Sequence, residues 1–205
     1  MINLEENMKK IITLVAAATI AAAVFAAPTA VADQPLPKTQ STVLDDFEDG
    51  MYLEAVRDGW NAYGNVFMKT QFSTESSTTA RWDKKGNCGQ LDYAALPGNK
   101  EQACLYECSD LLETNWKNYK YMTIVVNNPN DYDITVQLFT KTGDTWLWGN
   151  TDAVTIGSGV HTVMFTLSSA TVKVPGDVKQ FGIAFYIGGA HPASKVFVDD
   201  IILYK

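Results

Sequence analysis

The sequence is poor in the residues that build metal centres and covalent frameworks. Its 205 residues include only three cysteines and two histidines, His161 and His191, and contain no CxxC pair. Structural zinc sites take four closely spaced Cys and His ligands, so a zinc-dependent fold is disfavoured. The GxSxG, HExxH and GxGxxG motifs and the phosphate-binding loop are also missing, which removes the commonest hydrolase and nucleotide-binding signatures.

Positive charge is scarce as well. Lys and Arg total 16 against 23 Asp and Glu, which gives a net charge of −7 and a pI near 4.8. Nucleic acids, anionic membranes and acidic polysaccharides need clustered basic side chains, so this balance argues against all three as partners. With 46% hydrophobic and 11% aromatic residues, most of the chain is predicted to be ordered, and its length predicts one domain.

Long hydrophobic runs are limited to one segment near the N-terminus. A basic pair precedes the uncharged run 11–27, and Ala30 and Ala32 take the −3 and −1 positions before Asp33. This order predicts a secretory signal peptide over 1–32 and a mature protein that begins near Asp33, secreted or periplasmic and free of the membrane. The alternative is an uncleaved membrane anchor, for which the run lies at the short limit of a bilayer span.

The remaining chain reads as a short linker followed by short strands. Residues 33–41 contain two prolines and predict an extended linker, and residues 42–205 predict one all-β domain. In DITVQLFT, residues 134, 136 and 138 should share one face of a strand and residues 135, 137 and 139 the other. About nine or ten such segments predict a two-sheet antiparallel β-sandwich; the principal ones are 43–48, 65–72, 78–82, 90–96, 119–126, 133–140, 161–168, 180–187 and 195–204.

Residues 100–113 predict either a helix or another strand. Apolar residues recur at i, i+4, i+7 and i+8 from Cys104, which suits a helix, but the segment is short and ambiguous. An exported chain can oxidise its thiols, so we expect one disulfide from Cys88 to Cys104 or Cys108 and one buried thiol.

Catalysis is disfavoured by the distribution of carboxylates. Small jelly-roll glycanases use paired carboxylates, and a small secreted glycoside hydrolase is therefore one alternative for this chain. No glutamate lies between residues 114 and 205, so a catalytic partner on a late strand would have to be an aspartate. We therefore expect no catalytic residues.

Several segments together resemble a known class of binding domain. VLDDFEDG at 43–50 with Trp60 after it, NWKNYKYMTIVVNN at 115–128, WLWG at 146–149 and KVFVDDIIL at 195–203 occur in the same order as in secreted carbohydrate-binding modules. The chain resembles the galactose-binding-like jelly-roll class, of the type attached to cellulases and mannanases, from about residue 42 to its end. The resemblance implies a jelly-roll sandwich, a polysaccharide ligand and a structural calcium ion.

Acidic residues at two strand ends point to the same calcium site. Asp199 falls in phase with the apolar Phe197 and Ile201, and an inward-facing carboxylate needs a partner or a metal. If the first and last strands are neighbours, Asp46 or Glu48 could join Asp199 in a Ca²⁺ site. The alternative is a solvated acidic strand end or pairing with lysines.

Trp146 and Trp148 are the principal candidates for ligand contact. They lie two residues apart, so a strand would place both on one face, and the small and polar residues around them suit an open surface. Pyranose rings pack their C–H faces on indole, whereas the alternative is that one Trp belongs to the core. Further candidates for the same cleft are Tyr63, Arg81, Tyr121 and Gln137, and the tryptophans predicted to be core or support are Trp60, Trp82 and Trp116.

These features together predict a secreted, non-catalytic protein that binds a neutral polysaccharide or oligosaccharide of the β-glucan or mannan type. The alternatives are an envelope structural or adhesion protein with the same sandwich and the small glycanase considered above.

Overall fold

The computed structural model describes residues 27–48, 56–58, 70–76, 87–93, 102–108, 111–187 and 191–205. Every regular element in these ranges is a strand. The strands are β1 (Ala30–Ala32), β2 (Ser41–Asp45), β3 (Val56–Asp58), β4 (Thr70–Ser76), β5 (Asn87–Tyr93), β6 (Gln102–Cys108), β7 (Tyr121–Asn128), β8 (Ile134–Thr142), β9 (Leu147–Asn150), β10 (Val154–Ile156), β11 (Gly159–Thr166), β12 (Val178–Tyr186) and β13 (Ser194–Tyr204).

The strands form two antiparallel sheets, which confirms the predicted sandwich. Sheet A has seven strands in the order β1-β11-β7-β13-β5-β4, and β2 pairs with β13 beside this path. Sheet B has six strands in the order β10-β8-β12-β6-β3, and β9 pairs with the far end of β8. Predicted segments 119–126, 133–140, 161–168, 180–187 and 195–204 correspond to β7, β8, β11, β12 and β13. The predicted segment 78–82 lies outside the described residues.

The core lies between the two sheets. Because successive side chains of a strand point to opposite faces of its sheet, every second residue enters this core. On β8 the even-numbered Ile134, Val136 and Leu138 are buried in the core, as the sequence predicted. Trp116 is only 1% exposed and packs against Phe181 with ring centroids 6.0 Å apart, so its predicted core role is confirmed. The other inward side chains include Met122, Ile124, Val126, Val163, Phe165, Ile183, Phe185, Val196, Val198, Ile201 and Leu203.

The helix considered for 100–113 is wrong, and the strand alternative is correct. Residues 102–108 form β6, which pairs with β12 on one side and with β3 on the other. Hydrogen bonding to two neighbouring strands overrides the weak helical spacing of this segment. Cys88 and Cys108 are both buried, and the side chain of Cys104 lies outside the described part, so the disulfide stays a prediction.

The N-terminal segment contains a short strand. Ala30–Ala32 forms β1 at the edge of sheet A, directly before the predicted signal-peptide cut, and the position of that cut stays a prediction. Most of the predicted linker 33–41 has no regular structure, and its last residue opens β2. In the described part of the chain, no helix has the length and apolarity needed to cross a membrane.

Candidate functional site

The outer face of sheet B carries the features of a binding surface, and we call it the platform face. On β8 the even-numbered side chains enter the core, so the odd-numbered ones lie on this face. Backbone register then groups the platform face into rows across the sheet. The rows are Trp148–Lys141–Gln180, Asn150–Phe139–Gly182 and Gln137–Ala184, followed by Thr155–Thr135–Tyr186.

Trp148 forms an aromatic platform at the end of this face. Its ring stacks on Phe139 with centroids 4.3 Å apart and an interplanar angle of 7°. Phe139 is therefore only 4% exposed although it lies on the outer side of the sheet, while Trp148 remains 54% exposed. The indole covers Phe139 with one face and presents the other to solvent, which is the arrangement that an apolar ring face can pack on.

Lys141 lies directly beside the stacked rings. Its Nζ is 5.6 Å from the centroid of Trp148 and 5.7 Å from that of Phe139, both within the range of cation–π attraction. Lys141 also pairs with Trp148 across β8 and β9. The ammonium group is thus held at the rim of the platform, where it can donate hydrogen bonds to a bound molecule.

A close backbone contact holds β9 in place beneath the platform. A Cβ added to Gly149 would lie 2.2 Å from the carbonyl oxygen of Thr171 and 2.6 Å from that of Ala170. Only glycine allows this approach between β9 and the β11–β12 connection. Thr140, which pairs with Gly149, donates its hydroxyl to the same Thr171 carbonyl. The strand that carries Trp148 is therefore packed against the connection on its inner side.

Trp146 is exposed, but the prediction that it shares a strand face with Trp148 is wrong. Residues 143–146 form a turn in which the Trp146 N–H donates to the Gly143 carbonyl over 3.1 Å, and β9 begins only at Leu147. Trp146 has a φ of 54°, in the left-handed region, and its side chain is 52% exposed. The turn interrupts the period of two on which the prediction relied.

The predicted cleft residue Gln137 does lie on the platform face. Its Nε2 donates to the carbonyl of Thr151 over 2.7 Å, and its Oε1 accepts from the hydroxyl of Tyr186 over 3.2 Å. Both ends of the amide are thus oriented by the protein, with Tyr186 half-buried in the next row. Asn150 and Thr155 are exposed on the same face and add polar groups that sequence reasoning missed.

Backbone pairing extends two of the rows on sheet B to charged residues of β6 and β3. Glu107 pairs with Gly182, and Arg57 reaches the neighbouring row through its pairing with Leu105. No local sequence pattern connects these residues with Trp148, because their positions in the sheet are set by the register of β12, β6 and β3, which are not consecutive in the chain. Tyr186 was missed for the same reason, whereas Phe139 was placed on the outer face and only its cover by Trp148 was missed.

The other predicted cleft residues do not join this group. Tyr121 pairs with Tyr204 and Thr166 in sheet A, on the outer side opposite to the core residue Met122. It therefore lies on the far side of the sandwich from Trp148, and its assignment to the same cleft is wrong. Tyr63 and Arg81 lie outside the described residues, as do Trp60 and Trp82.

The acidic positions predicted to bind calcium lie at the junction of β2 and β13. Asp199 is fully buried, and its Oδ1 accepts the Asp200 N–H over 2.8 Å. A bulge follows, with Asp200 at a φ of 47°, so that Val198 and Ile201 both face the core. The sequence predicted that Asp199 would lie on the same side of the strand as Phe197 and Ile201. In the structure Asp199 lies on the Phe197 side, and Ile201 lies on the opposite side.

Asp46 and Glu48 behave differently from Asp199. Both are exposed: Asp46 accepts the Glu48 N–H over 3.2 Å, and both carboxylate oxygens of Glu48 accept the Asn87 N–H. The buried carboxylate of β2 is Asp45, which pairs with Ile201 and accepts the Phe47 N–H over 2.8 Å. Among the described residues, no three His, Cys, Asp or Glu side chains are grouped to hold a metal ion.

The geometry agrees with a comparison of the whole domain with known protein families. Residues 46–200 match the family described as the galactose-binding domain-like mannanase domain. The chain belongs to this family. The match begins directly after β2 and ends at the bulge in β13, so it includes all strands of sheet B, with the platform face, and the strands of sheet A from β4 to the first part of β13.

Solved structures share the fold of this galactose-binding-like domain. One is the family 11 carbohydrate-binding module of Clostridium thermocellum, described in complex with a β-1,3-1,4-mixed-linked tetrasaccharide. It is 18% identical, with 80% of this chain and 95% of that one covered at a TM-score of 0.51. A family 28 module, described as specific for non-crystalline cellulose, is 14% identical, with coverages of 84% and 100% and a TM-score of 0.54. No curated protein matches the chain at a significant level.

Proposed function

We propose that this protein is a non-catalytic carbohydrate-binding domain that holds a neutral polysaccharide on its platform face. The observation that carries the proposal is the Trp148 indole, stacked on Phe139 with one face and 54% exposed. A flat, supported aromatic ring packs well against the C–H face of a pyranose.

Stacking on Trp148 accounts for a useful but modest affinity. Covering about 50–80 Å² of apolar surface contributes about 1–2 kcal/mol at roughly 25 cal/mol per Å². Two or three such contacts, after the loss of ligand freedom, leave a Kd of roughly 10 µM to 1 mM. The polar groups of Gln137, Asn150 and Thr155 lie in neighbouring rows and are suited to meeting sugar hydroxyls.

Backbone strain at Trp146 supports a second aromatic contact. A bulky residue at a φ of 54° is unfavourable by about 1–2 kcal/mol, and glycine or asparagine would serve this turn without strain. Strained conformations of this kind concentrate at functional sites. A tryptophan kept there and left 52% exposed is consistent with a role in binding.

Charge and family support a neutral ligand. A chain with a net charge of −7 repels acidic polysaccharides, and Lys141 at the rim of the platform can donate to neutral hydroxyls. The family carries the name of mannanases, and the family 11 neighbour is described with a mixed-linked glucan. We therefore propose mannan or β-glucan as the ligand, bound by a protein that is secreted or periplasmic.

Calcium remains part of the proposal as a structural ion. Carboxylates are the ligands that Ca²⁺ prefers, and Asp45 of β2 and Asp199 of β13 are both buried in neighbouring strands. The buried Asp45 fits this role better than the exposed Asp46, and Glu48 is already engaged with Asn87. The ion would stabilise the fold and take no part in chemistry.

Affinity electrophoresis against a panel of polysaccharides tests the proposed function. We expect retardation in gels that contain mannan or β-glucan and none in gels that contain pectin or another acidic polysaccharide. Reducing-sugar release on the same polysaccharides should stay at background. Unretarded migration in every neutral gel would contradict glycan binding, and sugar release would indicate the glycanase.

A further inference from the structure

The predicted signal-peptide cut falls immediately after an element of the fold. Ala30 and Ala32, at the −3 and −1 positions of that cut, belong to β1, which pairs with Phe165 to Val163 of β11. Ala30 is 5% exposed and is part of the hydrophobic core, as are both of these β11 residues. Cleavage before Asp33 would therefore remove a strand whose side chains complete the core.

A reciprocal pair of hydrogen bonds fixes the beginning of β1. The Thr29 N–H donates to Asp152 Oδ2 over 2.9 Å, and the Asp152 N–H donates to Thr29 Oγ1 over 2.6 Å. The Thr29 carbonyl also accepts the Thr166 N–H over 2.7 Å, which extends the ladder with β11. Thr29 is thus bonded to two segments that are more than a hundred residues away in the chain.

A second set of contacts fixes the end of β1 at Asp33. Its N–H donates to the Thr162 carbonyl over 2.8 Å, and its Oδ1 accepts the Thr162 N–H over 3.0 Å. Its Oδ2 lies 2.7 Å from Nδ1 of His161. The hydrogen bond with His161 lowers the pKa of Asp33. After a cut before Asp33, this residue would be the N-terminus, and it would have to hold its contacts with Thr162 and His161 without the support of β1.

The strand also covers an edge that would otherwise be open. β11 lies between β1 and β7 in sheet A, so removal of β1 makes β11 the edge strand. An open edge presents unpaired N–H and C=O groups that can pair with another chain. Retention of β1 therefore protects both the core and the solubility of the domain.

We propose that the signal peptide is cut before Thr29, so that the exported protein keeps β1 as a permanent edge strand. The sequence offers such a position, since Val24 and Ala26 take the −3 and −1 places of a cut before Ala27. The inference is independent of glycan binding, because β1 belongs to sheet A and the platform face to sheet B.

Intact-mass measurement of the full chain exported by a secreting bacterial host decides the position of the cut. We expect an N-terminus before Thr29, with Ala27 as the leading candidate. An N-terminus at Asp33 overturns the proposal, and so does an exported protein that keeps its whole leader.

Two purified forms, one starting at Ala27 and one at Asp33, test why β1 is kept. The shorter form should melt about 5–10 °C lower and self-associate, or fail to fold. In the longer form, Asp33→Asn should lower the Tm by about 2–5 °C, whereas Asp131→Asn, at an exposed loop position, should leave it unchanged. Equal melting and monomeric behaviour of the two forms would show that β1 contributes nothing and overturn the inference.

Discussion

Replacing Trp148 with alanine separates a binding role from a structural one. The two faces of the indole have different environments. One face stacks on Phe139 with ring centroids 4.3 Å apart, and the other faces solvent, which leaves Trp148 54% exposed. The substitution removes the surface on which a sugar ring would stack and also uncovers Phe139. Both effects are measurable on the same purified protein.

The expected magnitudes differ enough to distinguish the two roles. Loss of one stacking contact should weaken glycan binding by about 1–2 kcal/mol, or roughly five- to thirtyfold in Kd. Loss of the ring pair with Phe139 should destabilise the fold by about 0.5–1.5 kcal/mol. For a domain of this size that lowers the Tm by about 2–5 °C. A fully buried Trp replaced by Ala would instead lose about 3–5 kcal/mol of stability.

Isothermal titration with the polysaccharide that the wild type binds, followed by thermal melting, measures both terms. Trp148→Phe should retain part of the affinity, because a smaller aromatic ring still covers Phe139. Val43→Ala is the matched control, since Val43 is 47% exposed but pairs with Ile202 in sheet A. The reasoning is refuted if Trp148→Ala keeps wild-type affinity while its Tm drops as far as expected for a core residue.

Four further predictions concern the same surfaces. Trp146→Gly should raise the Tm by about 1–3 °C, because it relieves the positive φ, while it weakens binding; lowered stability would contradict the strain argument. Gly149→Ala should lower the unfolding free energy by about 2–4 kcal/mol, since its Cβ would lie 2.2 Å from the Thr171 carbonyl; unchanged denaturant midpoints would disprove that contact. Lys141→Met should weaken neutral-glycan binding about three- to tenfold in titrations, by loss of a donor, and equal affinities would exclude Lys141 from the site. Calcium at a hundredfold excess over its Kd would stabilise the fold by about 2.7 kcal/mol, so chelation should lower the Tm. Asp199→Asn should abolish that response, and a wild type whose Tm does not change with chelator would contradict the calcium proposal.

Local patterns predicted the strands well where one face is buried. DITVQLFT alternates between core and surface as expected, and β8 follows it closely. The same pattern assigned Phe139 correctly to the outer face but gave no sign that it would be buried. Its burial comes from Trp148 on the neighbouring strand, a contact that depends on the pairing of β8 with β9.

The errors arose where the chain leaves regular strand geometry. Trp146 and Trp148 have strand spacing, but the turn at Gly143 shifts the start of β9 to Leu147. The bulge after Asp199 reverses the phase of β13 in the same way: Asp199 is buried, but on the Phe197 side of the strand and not on the core side with Ile201. Positive φ values at non-glycine residues mark both places, and sequence periodicity carries no information about them.

The composition of the site depended on topology more than on local sequence. Tyr121 and Gln137 were both predicted as candidates for one cleft. The order of strands in the sheets places them on opposite outer faces of the sandwich. Register likewise pairs the backbone of Glu107 with Gly182 and that of Arg57 with Leu105, although neither residue was a candidate from the sequence.

A nuclear magnetic resonance titration with a manno- or gluco-oligosaccharide tests the central claim most directly. The indole N–H signals of Trp146 and Trp148 should shift together with the Lys141 amide, while the signal of the buried Trp116 should stay in place. Shifts confined to the outer face of sheet A, around Tyr121 and Val160, would place the ligand elsewhere and contradict binding at the platform face.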